Sequence, residues 1–226
     1  MTNHTERIYA DLRNAILQNR YPPGSRLRIN ALCDEHGVSL GAVREALSRL
    51  AAEDFVVAEP QKGFSVAPVS LPGLADLTRT RISIETMCLQ SAIANADVEW
   101  EAGLLAAFHR LARTPMMEAG GAPGGPRLSE GWAAVHAAFH AALVAACDSP
   151  WLLKIRQMLY DQSERYRRLS TTASHDSRDT LAEHEALMKA ALAHDAAAAS
   201  QLLHRHLTLT SEIVAALVRP EPPAAP

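Results

Sequence analysis

The chain has 226 residues, of which 48% are hydrophobic and only 5% aromatic, and its formal net charge at pH 7 is −3. This length suits two modest domains or one large one, and a composition rich in Ala and Leu favours helix packing over β-sandwiches. The net negative charge excludes a broad basic surface, so any binding to nucleic acid must come from a local patch.

The cysteines and the N-terminus bear on the compartment. Cys33, Cys88 and Cys147 are widely separated and form no Cys-x-x-Cys motif, which predicts small buried side chains in a reducing compartment. The N-terminus carries charges where a signal peptide needs an apolar core, and no apolar run approaches membrane-spanning length. We therefore expect a soluble, cytoplasmic protein without a membrane partner.

The first 69 residues predict three helices followed by a β-hairpin. Thr5 can cap the first helix, Gly37 is suited to end the second, and Ser39 can cap the third. The predicted helices cover residues 5–19, residues 29–36 and a third segment from about residue 40. The predicted strands cover residues 55–58 and 64–67. This order is typical of a winged helix-turn-helix, whose third helix lies in the major groove while the wing contacts the backbone or minor groove.

Arginine and lysine residues of this head are candidate DNA contacts, because a guanidinium can hold two acceptors on guanine or two phosphate oxygens. Arg44 and Arg49 lie on the exposed edge of the third helix, Arg26 and Arg28 precede the second helix, and Lys62 lies on the wing. Acidic residues match the basic ones in number here, so ordinary solvated cations remain an equal alternative on charge alone.

The rest of the chain predicts helices. The predicted segments are 73–95, 98–113, 129–147, 150–172, 178–194 and 196–218. A Gly/Pro-rich segment at 119–126 predicts a mobile loop, and residues 219–226 predict a disordered tail. The fold class is therefore mainly α: a winged helix-turn-helix with a small β-hairpin wing in residues 1–69, then an antiparallel all-α bundle of about six helices in residues 70–218.

Two pairs of histidines in the second region have the spacing of a metal site. His136 and His140 lie four residues apart and share a helix face, while His184 and His206 lie equally far before and after Asp195. If the helices on either side of Asp195 form an antiparallel hairpin, the second pair lies level. Either pair alone is more often a satisfied or solvated histidine than a ligand.

The motifs of the head closely resemble the GntR family over about residues 5–69. They are Pro-Gly-Ser-Arg-Leu at 23–27, Gly-Val-Ser at 37–39, Val-Arg-Glu-Ala-Leu-Ser-Arg-Leu at 43–50 and Gly-Phe-Ser-Val at 63–66. The resemblance implies that DNA is contacted by Ser39, Arg44, Arg49 and the wing at Lys62 and Gly63.

One position departs from the GntR pattern. The family usually has Ser-Arg-Thr-Pro before Val-Arg-Glu-Ala-Leu, and here Leu40 replaces the arginine expected to read a base edge. Leucine can touch a thymine methyl group but cannot hydrogen-bond guanine. We therefore expect the operator to differ from the usual family half-site at that base pair.

The histidine pattern resembles the FCD effector domain of the FadR subfamily, from about Leu74 to Leu217. The matching motifs are Arg81 with Glu85, Phe139-His140, Ser149-Pro150-Trp151-Leu152, Glu183-His184 and His206-Leu207. The resemblance implies a divalent metal held by His136, His140, His184 and His206, and a small organic acid whose carboxylate completes its coordination. His136 stands where the family has aspartate. Four neutral imidazoles suit Zn²⁺ or Ni²⁺ over Mg²⁺ or Ca²⁺; alternatively, His136 does not coordinate and three histidines form the site.

Several residues are candidate effector anchors. Arg81 is the best of them, although an intrahelical pair with Glu85 is an equal alternative. Arg165 and Tyr166 are weaker candidates, while Arg156, Arg167 and Arg168 are expected to be solvated.

The favoured function is a homodimeric transcription factor, a repressor released from operator DNA by a small carboxylate. Two alternatives stay open: a regulator in which the metal ion is itself the signal, and a metal-dependent hydrolase. The hydrolase is disfavoured because Glu183 and Glu185 flank His184 on one helix and are expected to point away from its face, and because no nucleophile motif accompanies the histidines.

Overall fold

The structure is a computed structural model that describes residues 4–118, 127–169 and 178–217. The predicted loop at 119–126 and the predicted tail at 219–226 lie outside the described residues. Within these limits the fold class is confirmed as mainly helical, with a small sheet near the N-terminus.

The N-terminal head consists of three helices and a three-stranded sheet. Its elements are α1 (His4–Leu17), β1 (Arg26–Leu27), α2 (Ile29–His36), α3 (Leu40–Ala52), β2 (Val56–Glu59) and β3 (Gly63–Val66). The sheet is antiparallel with the order β1-β3-β2, and Val56 lies opposite Val66. The two-residue strand β1, which pairs Arg26 with Ser65, was not predicted.

Local sequence explains where these helices begin and end. Ser39 caps α3, because its hydroxyl accepts a hydrogen bond from the Ala42 N–H at 3.3 Å. Gly37 follows α2 with φ of 62°, a left-handed conformation that glycine adopts without strain. Thr5 is not a cap: it lies inside α1, buried, 3.4 Å from a carboxylate oxygen of Glu45.

Apolar faces of the three helices meet in one cluster that includes Leu12, Val43, Leu47 and Phe55, each at most 1% exposed. This cluster presents the N-terminus of α3 and the β2–β3 turn on the outside of the head. Leu40, at the start of α3, is 48% exposed.

The rest of the described chain forms a second helical unit with its own apolar cluster around Leu89, Leu104, Phe139 and Leu203. Its elements are α4 (Leu71–Ala94), α5 (Val98–Arg113), β4 (Met117–Glu118), β5 (Arg127–Leu128), α6 (Glu130–Leu143), α7 (Pro150–Leu169), α8 (Thr180–Leu192) and α9 (Ala196–Leu217). Helix α4 packs against α7 and α9, and α5 packs against α6 and α8. The short antiparallel pair β4–β5 was not predicted. No helix in the described ranges is long and apolar enough to cross a bilayer.

Helix α7 connects the two units through side chains that reach the head. Gln162 donates a hydrogen bond to the Glu53 carbonyl at 2.5 Å, and Arg165 donates to the carbonyls of Asp54 at 3.1 Å and Ala67 at 2.6 Å. Arg13 of α1 forms a 2.6 Å ion pair with Asp161 of α7. The head is therefore held against α7 by polar contacts.

Candidate metal and effector site

Four buried histidines meet inside the helical unit. His136 and His140 come from α6, His184 from α8 and His206 from α9, and one nitrogen of each lies within 4.8 Å of the others. The closest pair is Nε2 of His140 and Nε2 of His184, 3.2 Å apart. The two helical pairs identified in the sequence therefore converge on one point.

Outer contacts orient three of these rings through Nδ1. His184 Nδ1 lies 2.6 Å from the Thr180 carbonyl, and His206 Nδ1 lies 2.8 Å from a carboxylate oxygen of Glu183. His136 Nδ1 lies 3.4 Å from the Tyr160 hydroxyl. These contacts occupy Nδ1 of the three rings and leave Nε2 of each available to bind an ion, the arrangement typical of metal-ligating histidine.

Burial keeps the cluster neutral. It lowers the pKa of His184 to about 3, and it holds the pKa values of His136 and His140 well below their ordinary range, with nearby positive charge adding to the effect. The pKa of His206 is also lowered by burial, against the opposing hydrogen bond with Glu183. Neutral imidazole is the form that binds metal.

The donor set fits a borderline transition metal. Two nitrogens bound to one tetrahedral zinc ion at roughly 2.0–2.1 Å lie about 3.3 Å apart, close to the 3.2 Å between His140 and His184. Within the described residues, His140 Nδ1 is buried without a hydrogen-bond partner, while its Nε2 faces His184. The cluster itself offers four imidazoles and no carboxylate, unlike an oxygen-rich site for Mg²⁺ or Ca²⁺.

A cavity of about 150 Å³ opens beside the cluster. Three of the histidines line it, together with Arg81, Arg167, Arg178, Trp132 and Tyr166. Trp132 stacks on the His136 ring, with the ring centres 4.6 Å apart. One carboxylate, that of Glu164, also lines the cavity, and small hydroxyl side chains complete the polar part of the wall: Thr78, Ser163, Thr180, Thr210 and Ser211.

Arg81 forms the intrahelical pair that was one alternative from the sequence, and its position leaves the effector contact as a prediction. It lines the cavity, and its Nε donates to Glu85 at 2.9 Å as an intrahelical pair. Arg156 was expected to be solvated, and this is wrong. It is 3% exposed and donates to the other oxygen of Glu85 at 3.1 Å, because Glu85 of α4 faces α7. One buried carboxylate thus faces two arginines.

Two more arginines of α7 differ from the expectation of solvated side chains. Arg167 lines the cavity and pairs with Glu164, and Arg168 pairs with Glu130 at 2.6 Å. Arg165 is absent from the described cavity lining, since its guanidinium reaches the head carbonyls instead. Tyr166 does line the cavity, and its hydroxyl lies 3.5 Å from the Ser70 N–H.

Glu183 also departs from the expectation. It contacts His206 across the helix hairpin instead of pointing away from the cluster, whereas Glu185 pairs with Lys189 at the surface. Burial opposes ionisation of Glu183, but hydrogen bonds from Arg178 and His206 lower its pKa to about 2. Arg178 was not considered at all, because it precedes α8 without helical periodicity or a motif.

The candidate DNA contacts lie on the outside of the head. Ser39, Leu40 and Arg44 are exposed at the first turns of α3. Arg26, Arg28, Lys62 and Gly63 line one shallow groove between β1 and the β2–β3 turn. Arg49 is partly exposed, pairs with Glu6 at 2.7 Å and lies over the Tyr9 ring at 4.1 Å.

A winged helix-turn-helix head followed by a helical domain with a buried polar pocket is typical of a class of bacterial transcription regulators. The comparisons with known proteins agree. Residues 4–66 match the family of bacterial regulatory proteins, gntR family, and residues 76–209 match the FCD domain. The chain belongs to the GntR family with a C-terminal FCD domain, and it is a DNA-binding transcriptional regulator, not an enzyme.

Two curated relatives match nearly the whole chain. The HTH-type transcriptional regulator BphR of Paraburkholderia xenovorans is 38% identical over 92% of this chain and 84% of its own length. The HTH-type transcriptional repressor GlaR of Escherichia coli is 36% identical over 91% of this chain and 93% of its own length. The solved structure of E. coli McbR/YncC has a TM-score of 0.75 at 22% identity, covering 95% of this chain and 98% of that one, which supports the fold alone.

Proposed function

We propose that this protein is a homodimeric repressor released from its operator by a small carboxylic acid that binds at a zinc- or nickel-centred pocket. Residues 1–69 bind DNA in this proposal, and residues 70–218 bind the effector and form the dimer, since a palindromic operator needs two heads. A relative of similar length is named a repressor. In this proposal the protein acts in the cytoplasm, where operator DNA is found.

The observation that carries the proposal is the convergence of four buried, neutral imidazoles beside a cavity lined by arginines. A divalent ion held by neutral ligands keeps its full charge, and its Lewis acidity attracts an anionic oxygen. Arg81 and Tyr166 are the proposed second contacts of the acid, because both line the same cavity. A cavity of this volume admits a molecule of about the size of benzene, which limits the effector to a short acid.

Charge around the cavity favours an anion. Arg81 and Arg156 share the single carboxylate of Glu85, so this buried group retains a net positive charge before any ion is bound. An incoming carboxylate would compensate that charge, since a buried cation without a counter-charge is costly. Arg165 is left out of the effector contacts in this proposal.

The proposed DNA contacts are the exposed polar groups of the head with Leu40. The set is Arg26, Arg28, Ser39, Leu40, Arg44, Arg49, Lys62 and Gly63. Arg44 is the strongest of them, because it is exposed near the start of α3, the helix that enters the major groove in this class of head. Arg49 would have to exchange its ion pair with Glu6 for a phosphate or base.

The test of the pocket is the metal content of the purified protein, measured by atomic spectrometry together with anomalous diffraction at the zinc and nickel edges. Wild-type protein is expected to carry about one ion per chain at the histidine cluster. His140→Ala should lose it, while His204→Ala, an exposed histidine on α9, should keep it. Unchanged metal content in His140→Ala would refute the assignment.

The second candidate function is metal sensing, favoured by a cluster that offers four imidazoles without a carboxylate. Operator binding by metal-free protein is titrated with Zn²⁺ or Ni²⁺, and metal-loaded protein is then titrated with acetate and longer carboxylic acids. Release by the ion alone would identify a sensor. Release that requires an acid in the metal-loaded protein would identify the ion as a cofactor.

A further inference from the structure

A charged pair lies directly behind one of the cluster histidines. Glu183 Oε2 is 2.8 Å from His206 Nδ1, and Arg178 holds the same carboxylate through both of its oxygens, at 2.5 and 2.6 Å. Arg178 also donates to the His206 carbonyl at 3.0 Å and to the Thr210 hydroxyl at 2.9 Å. His206 is therefore fixed from outside by a carboxylate that is itself bound to a guanidinium.

The other cluster histidines have weaker outer partners in the described part of the chain. His184 faces a backbone carbonyl, His136 faces a phenol, and His140 Nδ1 has no partner. A carboxylate that accepts the Nδ1–H makes Nε2 a more basic and better oriented ligand than a neutral acceptor does. His206 is thus the ring whose ligand strength depends most on a charge.

Arg178 opposes this effect in two ways. A carboxylate paired with a guanidinium on both oxygens has less charge to give to the imidazole, because its lone pairs are shared. The guanidinium also lies beside the cavity, where its positive charge repels a cation bound at the histidines. Glu183 and Arg178 are ion-paired to each other, yet they act on the metal with opposite sign.

We propose that Glu183 and Arg178 form an outer pair that sets the metal affinity of the cluster, with Glu183 strengthening His206 as a ligand and Arg178 weakening the site. Both are positioning residues: they act through His206 and through charge, and neither is itself one of the metal ligands. The inference rests on the proposed metal site and adds to it a means of tuning how tightly the ion is held.

The pair also gives the cavity a way to influence the ion. Arg178 lines the cavity and is 16% exposed, so an anion that enters can form a hydrogen bond with its guanidinium. An anion that accepts a hydrogen bond from Arg178 weakens the pairing of Arg178 with Glu183. The carboxylate of Glu183 then accepts a stronger hydrogen bond from His206. Anion and metal would then favour each other's binding, as reciprocal coupling requires.

The test is the dissociation constant for Zn²⁺ at pH 7, obtained on the full chain by competition with a chromophoric chelator. Glu183→Gln is expected to bind Zn²⁺ about 10- to 100-fold more weakly, the usual cost of removing an outer partner of a ligand. Arg178→Gln is expected to bind it roughly five- to tenfold more tightly, because one nearby positive charge is removed. Arg205→Gln removes a positive charge from an exposed residue and Glu185→Gln removes a negative charge that pairs with Lys189, and both should leave the constant unchanged.

The opposite changes in Zn²⁺ affinity expected for Glu183→Gln and Arg178→Gln distinguish this inference from a purely structural role of the pair. If the pair only supports the fold, both substitutions weaken Zn²⁺ binding, and that result would overturn the inference while leaving the metal site intact. An unchanged constant in both variants overturns it too. Absence of Zn²⁺ binding to wild-type protein would instead overturn the proposed metal site, and the inference with it. Cobalt-substituted protein provides a second readout. Its visible spectrum reports the ligand set, and it should be the same in wild-type protein, Arg178→Gln and Arg178→Lys.

Discussion

The two units of this protein differ in where their candidate binding groups lie: those of the head are exposed, and those of the helical unit are buried. In the head, Arg26, Arg28, Arg44 and Lys62 are exposed around an apolar interior. In the helical unit, the histidine cluster and the Arg81–Glu85–Arg156 group are buried. Exposed cations suit a large polyanion that is met from outside, whereas buried polar groups are costly unless they are paired or bind a ligand. The location of polar groups therefore distinguishes DNA binding by the head from the binding proposed for the helical unit.

Metal removal should affect the helical unit most strongly. At free metal one thousand times above the dissociation constant, a bound ion adds about 4 kcal/mol to the free energy of unfolding. Chelation with EDTA is therefore expected to lower the thermal midpoint of the unit that holds the cluster. Differential scanning calorimetry of metal-loaded and metal-free protein measures the shift. Identical midpoints would mean that no ion is held there.

Acid should weaken the metal-free helical unit nearly as much. The buried histidines His136, His140 and His184 have lowered pKa values when folded, so the unfolded chain binds more protons than the folded one. Stability is then complete above about pH 6.5, the ordinary histidine pKa, and is lost as pH falls below it. Between pH 7 and 5.5 we expect a loss of roughly 1 kcal/mol for each buried histidine.

The pH effect is checked by urea unfolding of metal-free protein at pH 7 and 5.5. His204→Ala removes an exposed histidine and should keep the full dependence. A variant of the cluster, His184→Leu, should lose part of it. A free energy of unfolding that does not change over this range would contradict the burial of neutral imidazoles.

Arg165 tests the contact between the two units. Arg165→Met removes the donor to the carbonyls of Asp54 and Ala67, and leaving the buried Ala67 acceptor without a partner costs roughly 1–3 kcal/mol. Lys154→Met removes an exposed cation from the same helix and serves as the control. Urea unfolding measures both. Equal stability of the two variants would show that the contact adds nothing to the fold.

Arg44 tests the exposed chemistry of the head. Arg44→Ala is expected to weaken operator binding by about 1–3 kcal/mol, because an arginine that reads a base edge contributes about this much. Arg110→Ala removes an exposed arginine of α5 and should leave operator binding unchanged. Fluorescence anisotropy at fixed salt measures both variants. A loss of the same size in the control would point to bulk charge as the cause.

Leu40 should have the smallest effect, confined to one base pair. Leu40→Arg is expected to increase preference for guanine at the contacted position by about 1 kcal/mol, because leucine offers no hydrogen-bond donor. Selection from random DNA on wild-type and variant protein compares the two preferences. If wild-type protein selects the ordinary family half-site, Leu40 does not set the operator.

Most of the fold could be predicted from the sequence. Helical periodicity placed α5 and α2 at the observed bounds, and caps such as Ser39 and Gly37 identified where helices start and end. Strand β1 was missed because two residues give no periodic signal, and its pairing with β3 is a contact between segments far apart in sequence. Local pattern thus predicts long elements well and short paired ones poorly.

The histidines of the site could be predicted from the sequence, but their partners on other helices could not. Spacing of four residues, symmetry about Asp195 and the resemblance to the FCD domain together predicted the four histidines as a metal site, and these four side chains lie together in the structure. Arg156 was misjudged because its partner Glu85 lies on another helix, and burial of a charge depends on such partners. Arg178 and Glu183 were missed as partners of the cluster because both contact His206, which lies on the other helix of the α8–α9 hairpin.

Side chains of helix α7 bind the head mainly through main-chain carbonyl groups of the head. Gln162 and Arg165 contact the carbonyl groups of Glu53, Asp54 and Ala67, which every amino acid supplies. Substitutions at these three positions can therefore accumulate without loss of the acceptors, provided the backbone keeps its path. We therefore expect this contact to accept another head of the same backbone shape that keeps the ion pair of Arg13 with Asp161, and chimeras that join this helical unit to foreign heads would test that expectation.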